Sequence, residues 1–159
     1  MVLVENNQLQ TTDSWHHIDE ETPQLADHCI VSLAYYLEHK TDISNNEGEL
    51  GLAVFGDDDL SLFADELNSF KLICINFPIF TDGRGYSLAT SIRAAGYKNS
   101  LRAIGDILPD QVFYLSRVGF TALELADTAA AEFALSKLKE FSVVSQPASD
   151  GRAVINQSG

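Results

Sequence analysis

The segment FPIFTDGRGYS (77–87) gathers the residue types that bind charge: Asp82, Gly83, Arg84, Gly85, Tyr86 and Ser87. It follows the apolar run KLICINF and precedes a segment of helical periodicity, so it is the loop between a buried strand and a helix start. Glycines at 83 and 85 permit positive φ and close backbone approach. The free N–H groups of a helix N-terminus favour an anion, and Arg84 adds a permanent forked charge. The alternative is structural: Asp82 caps the helix and Arg84 pairs with Asp106 or Asp110. Arg102, inside the strand-like SLRAIGD, is a second anion-binding candidate. If that strand is buried, Arg102 needs a carboxylate, with Asp82 and Asp106 as the expected partners. Asp82 and Asp106 are also the acid–base candidates, with Glu124 beside them. Arg117 and Gly119 read as a helix ending on a basic residue and a glycine cap.

Other chemistries find less support. The Gly-x-Gly at 83–85 lacks the third glycine of a dinucleotide fingerprint, and no phosphate-loop Gly-Lys-Ser/Thr occurs. His16, His17, His28 and His39 do not fall into a metal-ligand spacing, so no metal is expected. The acids of GDDD (56–59) suit the positive end of a helix better than a magnesium site. Cys29 and Cys74 lie in apolar segments and read as reduced core residues. Two cysteines supply neither an iron–sulfur cluster nor a thiol–disulfide pair. No cofactor is therefore expected, and the one route left open is a flavin held by its phosphate on the loop at 82–87.

These residues need elements to position them. The 159-residue chain, 45% hydrophobic and 21% charged, is the size of one domain with a real core. Residues 1–24 form a polar N-terminal arm, a short strand pair at most; 25–146 form one α/β domain; 147–159 are a loose tail. HCIVSLAYYLEHK is a strand running into a helix, or one helix, and TDISNNEGE is a loop. GLAVF is a strand, and GDDD opens a helix with Leu60, Phe63, Ala64 and Leu67 on one face. After KLICINF come a helix with Leu88, Ile92 and Ala95 inward, the strand SLRAIGD, and a helix with Pro109 in its first turn. Then follow the strand FTALELAD, a helix burying Phe133, Ala134, Leu138 and Phe141, and SVVSQP as a last strand. This alternation predicts an α/β fold with a parallel sheet of four or five strand–helix units, open or a half-barrel, since a closed barrel needs about 250 residues.

The net charge of −13 is unevenly spread. Residues 1–70 hold fifteen acids and one base, Lys40, whereas residues 71–159 hold nine bases and eight acids. The acidic half repels phosphate backbones, so no nucleic-acid partner is expected. No apolar run approaches membrane-spanning length, and MVLVENNQLQ lacks a signal peptide's pattern, so a cytoplasmic location without a membrane partner is expected.

Taken together, FPIFTDGRGYS (77–87), LRAIGDILPDQ (101–111) and SRVGF (116–120) resemble a bacterial family of uncharacterised proteins labelled as probable oxidoreductases involved in sulfite reduction. The resemblance covers roughly residues 25–127. It falls on Phe80, Asp82, Gly83, Arg84, Gly85, Tyr86, Ser87, Arg102, Gly105, Asp106, Asp110, Gln111 and Arg117. Where that family often has a cysteine after the motif arginine this chain has Val118, so no thiol chemistry is carried over there. The resemblance implies a role in sulfite or sulfate assimilation, with sulfite reductase or a related protein as partner. The leading expectation is an accessory protein that binds a small oxyanion or a partner through Arg84 and Arg102. The alternatives are a small half-barrel enzyme using Asp82 or Asp106 on an anionic substrate, or a structural interaction domain. An exposed sheet edge also allows a homodimer.

Overall fold

The polar beginning of the chain is built into the sheet. A computed structural model describes residues 1–145, and within it residues 1–24 supply β1 (Val2–Glu5), β2 (Gln8–Gln10) and β3 (His16–His17). Asn6 and Asn7, both at positive φ, make the tight β1–β2 turn. Five strand–helix units follow. They are β4 (Cys29–Ser32) into α1 (Leu33–Glu38) and α2 (Lys40–Ser44), and β5 (Leu50–Phe55) into 3-10 turns at Leu60–Leu62 and Ala64–Ser69. Next come β6 (Phe70–Phe77) into α3 (Arg84–Ala94), and β7 (Ser100–Gly105) into a 3-10 turn at Pro109–Gln111 and α4 (Val112–Arg117). The last unit is β8 (Ala122–Leu125) into α5 (Thr128–Ser145).

The strands form one sheet in the order β2-β1-β8-β7-β6-β5-β4-β3. From β3 to β8 neighbours run parallel, and β1 is antiparallel to both β2 and β8. This is the mixed α/β half-barrel that the alternation predicts. The central strand β6 shows why: Ile73, Ile75 and Phe77 face the main core, where Leu88 and Ile92 of α3 also pack. Leu72 and Cys74 alternate onto the other face, where they meet Ile30 and Ile104 in a small second cluster.

That second face is closed by the chain itself. Residues 11–15 run from β2 at one edge of the sheet to β3 at the other. Trp15 packs on the second cluster, and a Cβ on Gly51 would come within 3.3 Å of its ring. Eight strands laid flat would set their outer members about 33 Å apart. The strap, fully extended, reaches only about 20 Å. The sheet is therefore curled, and the strap ties its two edges.

Several local expectations change. The helix expected after GDDD is a pair of 3-10 turns, broken where Phe63 adopts φ −135 and Glu66 φ −116. Part of the expected loop TDISNNEGE is α2. On α3 the buried stripe is Gly85, Leu88, Ala89 and Ile92, with Ala95 outside it. Phe133 is exposed, since α5 turns Ala131 and Ala134 inward and packs Leu135 and Leu138 behind them. The side chain of Phe141 lies outside the described residues. At SVVSQP the residues 142–145 continue α5 through Ser145 in place of the expected strand, and residues 146–147 lie outside the described residues. The tail at 147–159 also lies outside the described residues. Among those described, no helix is long and apolar enough to cross a membrane.

Candidate functional site

Parallel pairing puts the strand-to-helix loops on one edge of the sheet. Phe55 is in register with Asn76, and Phe77 with Gly105, so the connections after β5, β6 and β7 leave together. Gly105 is required where it stands. At φ +97 any side chain is strained, and a Cβ would lie 2.5 Å from the Phe77 carbonyl oxygen. The turn brings Asp106 back over β6, where its N–H donates to Phe77 O (2.8 Å) and its carboxylate accepts from Phe80 N (3.1 Å). Gln111 completes the clamp: its Nε2 donates to Phe80 O (2.9 Å) while its Oε1 accepts from Leu108 N (3.0 Å). The segment 101–111 thus holds the segment 77–87 by the backbone of Phe80.

Beyond the clamp, Asp82 and Arg84 hold one another. The Asp82 carboxylate accepts from the backbone N–H of Arg84 (3.0 Å), from its Nε (2.9 Å) and from its Nη2 (2.9 Å). Asp57 lies 3.6 Å from the same guanidinium. Arg84 therefore pairs with Asp82 and Asp57, and Asp106 and Asp110 are not its partners. The hydrogen bond from the Arg84 side chain holds the Asp82 carboxyl below the usual carboxylate range, which makes it a weak base at neutral pH. Gly83 begins α3 at ordinary helical angles (φ −69) with open space around it. Gly85 serves close approach: a Cβ there would sit 2.4 Å from the Phe77 ring. A Cβ on Gly56 would sit 2.5 Å from Gly85 N, so the β5 loop lies directly on the start of α3. Ser87 is exposed, and its N–H closes the first turn on Gly83 O at 3.3 Å.

The other acids of this edge also have structural tasks. Asp58 accepts from Phe55 N (2.7 Å), Asp59 from Ser61 N (2.9 Å), and Asp127 from Ala130 N (2.8 Å) at the start of α5. Asp110 has no hydrogen-bond or ion-pair partner among the described residues. Beside it opens a cleft of about 490 Å³ lined by Tyr86, Asp110, Gln111, Tyr114 and Val118. Residues from all three motif segments, 77–87, 101–111 and 116–120, meet in its wall. Apolar side chains are also exposed on the units that build this edge: Phe55 at the end of β5, Ile79 (57%) and Phe80 (40%) in the loop after β6, and Tyr114 on α4.

Arg102 is elsewhere. It alternates with Leu101 and Ala103, which face the helix layer, so it points to the opposite face, under the strap. Its side chain is 1% exposed and its partners are Asp13 (Nη1 to Oδ2, 2.8 Å; Nη2 to Oδ1, 3.2 Å) and Glu124 (Nη1 to Oε2, 3.0 Å). The expected partners Asp82 and Asp106 are thus replaced by a strap residue and a neighbour on β8. Burial works to raise the Asp13 carboxyl, but hydrogen bonds from Arg102 and from Trp15 N outweigh it and hold it low. Cys74, beneath Arg102 on the same face, is reduced and buried, and burial pushes its thiol up to about 12. Arg84 and Arg102 share no partner and lie on opposite faces of the sheet.

Two roles escape sequence reasoning. Asp13 sits in a segment without periodicity, far in sequence from the arginine it neutralises. Arg93 donates to Gly119 O (2.7 and 3.0 Å), Tyr97 O (2.9 Å) and Asn99 O (2.9 Å), tying the end of α3 to the loop after α4. Its place in the last turn of a helix, near orphan carbonyls, was the available signal. At that loop, α4 does end on Arg117 with Gly119 at φ +111. Among the described residues no group of three or more His, Cys, Asp or Glu side chains is placed to hold a metal ion.

In comparison with known proteins, residues 51–155 match the model of a family described as a bacterial protein of unknown function, DUF934. The matched segment contains the whole carboxyl edge just described. No curated protein matches the chain.

Proposed function

Since the chain belongs to the bacterial family of unknown function DUF934, we propose a reading from its geometry and its resemblance to proteins labelled for sulfite reduction. The protein is an accessory of sulfite reduction that docks a partner, the sulfite reductase or a related protein, on the carboxyl edge of its half-barrel. The observation that carries this reading is the set of apolar side chains held in solvent there: Phe55, Ile79, Phe80 and Tyr114. Isolated exposed apolar residues are ordinary, but these come from three successive strand–helix units: Phe55 ends β5, Ile79 and Phe80 lie in the loop between β6 and α3, and Tyr114 is on α4. Phe80 is fixed by hydrogen bonds at both its N–H and its carbonyl. A residue whose backbone is already held loses less freedom on docking, which is what an interface anchor needs. The same units carry Asp57 and Asp110 in solvent, Arg84 is already matched by Asp57 and Asp82, and the chain carries a net charge of −13, so a partner surface with a basic rim fits the patch.

The geometry favours this over a small-oxyanion site or an acid–base site. Arg84 is already matched by two carboxylates and Arg102 is closed under the strap. Asp82 and Asp106 are engaged as acceptors of backbone N–H groups. Calorimetric titration of purified sulfite reductase into the protein tests the proposal. Binding should weaken at least tenfold for Phe80→Ser and Ile79→Ser and fall with added salt, while Phe133→Ser on α5 leaves it unchanged. No binding by the wild type, or equal binding by Phe80→Ser, overturns it.

A further inference from the structure

We infer that the cleft between α3 and α4 is a binding site for a cation carried on a short apolar chain, an alkylguanidinium or alkylammonium group. The inference stands apart from the docking proposal, because it rests on the cleft's own inventory of groups. Of its five lining residues, Gln111 is spent: both ends of its amide are engaged within the protein. That leaves Asp110, two phenols and Val118. Neither the Asp110 carboxylate nor the hydroxyls of Tyr86 and Tyr114 have a hydrogen-bond partner among the described residues. No lysine, arginine or histidine among them lies within ion-pair distance of Asp110, so the cleft's one charge is an unneutralised negative one.

Each remaining group selects the same ligand. A lone carboxylate beside two aromatic rings attracts a cation by charge and by the ring faces together. Tyr86 is anchored edge-on against Phe77, with ring centroids 5.4 Å apart, so its position is fixed before a ligand arrives. Burial first, and the charge of Asp110 second, hold its phenol protonated, so it offers a donor and a neutral ring. Val118 provides an apolar wall for methylene groups. The volume of about 490 Å³ suits a ligand of this size. An anion is opposed by Asp110 and by the −13 charge of the chain, which concentrates cations at its surface.

Amide-resolved NMR titration with n-butylguanidinium, n-butylammonium, n-butanol and butyrate tests the site on the full chain. The two cations should shift residues around 86, 110, 114 and 118 and bind at least tenfold tighter than n-butanol, with butyrate not binding. Asp110→Asn should cut cation affinity about tenfold, and Tyr114→Ala several-fold. Both positions are exposed, and the unchanged remainder of the spectrum verifies the fold. Equal binding of n-butanol and the cations, or an Asp110→Asn variant that binds as the wild type does, overturns the inference. A capped Gly-Arg-Gly peptide distinguishes the carrier. A tenfold gain over n-butylguanidinium assigns the site to a protein side chain, and equal affinity assigns it to a free small molecule. Cation binding that persists in Phe80→Ser while reductase binding is absent in every variant keeps this site and removes the docking proposal.

Discussion

Two arginines that the sequence offers as alike differ in every physical respect. Arg102 is buried between Asp13 and Glu124, and its removal strands two carboxylates under the strap. Arg102→Ala should therefore lose about 3–5 kcal/mol in urea denaturation. Arg84 is 62% exposed and pairs with the exposed Asp57 and with Asp82, whose side chain is 9% exposed but keeps the backbone N–H of residue 84 as a donor. Arg84→Ala should therefore move the midpoint only slightly. A larger loss for Arg84→Ala would show that the carboxyl-edge pair, and not the buried one, holds the fold. At this scale the sequence announces the need but not the partner. A strand as apolar as SLRAIGD requires its arginine to be paired, whereas Asp13 lies in a stretch with no period to place it. Asp82 and Asp106 were the plausible partners because they are near in sequence and loop-borne. Alternation along β7 rules them out by turning Arg102 to the other face.

Elements were legible where burial imposes a period. KLICINF became β6 because a strand covered on both faces is apolar nearly throughout, and SLRAIGD and FTALELAD became β7 and β8, where one charged residue each, Arg102 and Glu124, is paired on the second face. The segment after GDDD was not legible: Leu60, Phe63 and Leu67 fit a helical face, but two 3-10 turns can present the same residues inward, and spacing cannot separate them. Of the two demands that the glycines around Arg84 suggest, positive φ is met at neither, and close approach is met at Gly85 alone. Gly83 has helical angles and empty space, so Gly83→Ala should stabilise by about 0.4–1 kcal/mol through the unfolded chain. Gly85→Ala would drive a methyl into the Phe77 ring and should cost about 1–3 kcal/mol as α3 is pushed off β6. Paired thermal melts measure both, and destabilisation of equal size at the two positions would mean that α3 begins otherwise than described.

For the molecule as a whole, the strap sets the shape, and its one tryptophan reports on it. Trp15 is the single tryptophan of the chain and packs beside Asp13 on the second face. Asp13 has its carboxyl lowered in the folded state, so the stability it contributes is present above the unfolded value near 3.8 and is lost as pH falls through the lower folded one. Tryptophan emission should accordingly shift to the red only below about pH 4. Asp13→Asn, which removes the charge outright, should give a partly shifted spectrum at neutral pH. An emission maximum that stays fixed in Asp13→Asn at neutral pH would mean that the ion pair does not hold the strap. The same strap also carries a consequence for how the protein is made. β1 leaves the ribosome together with β2 but long before its other partner, β8, since Val2 lies against Leu125. From their synthesis until β8 follows, Leu72, Cys74 and Ile104 therefore lie in a sheet that has not closed and still has an open edge. The half-barrel can close only as a late event after β8 emerges, a long-range pairing of the slow kind, and until then the growing chain is a natural client for a chaperone.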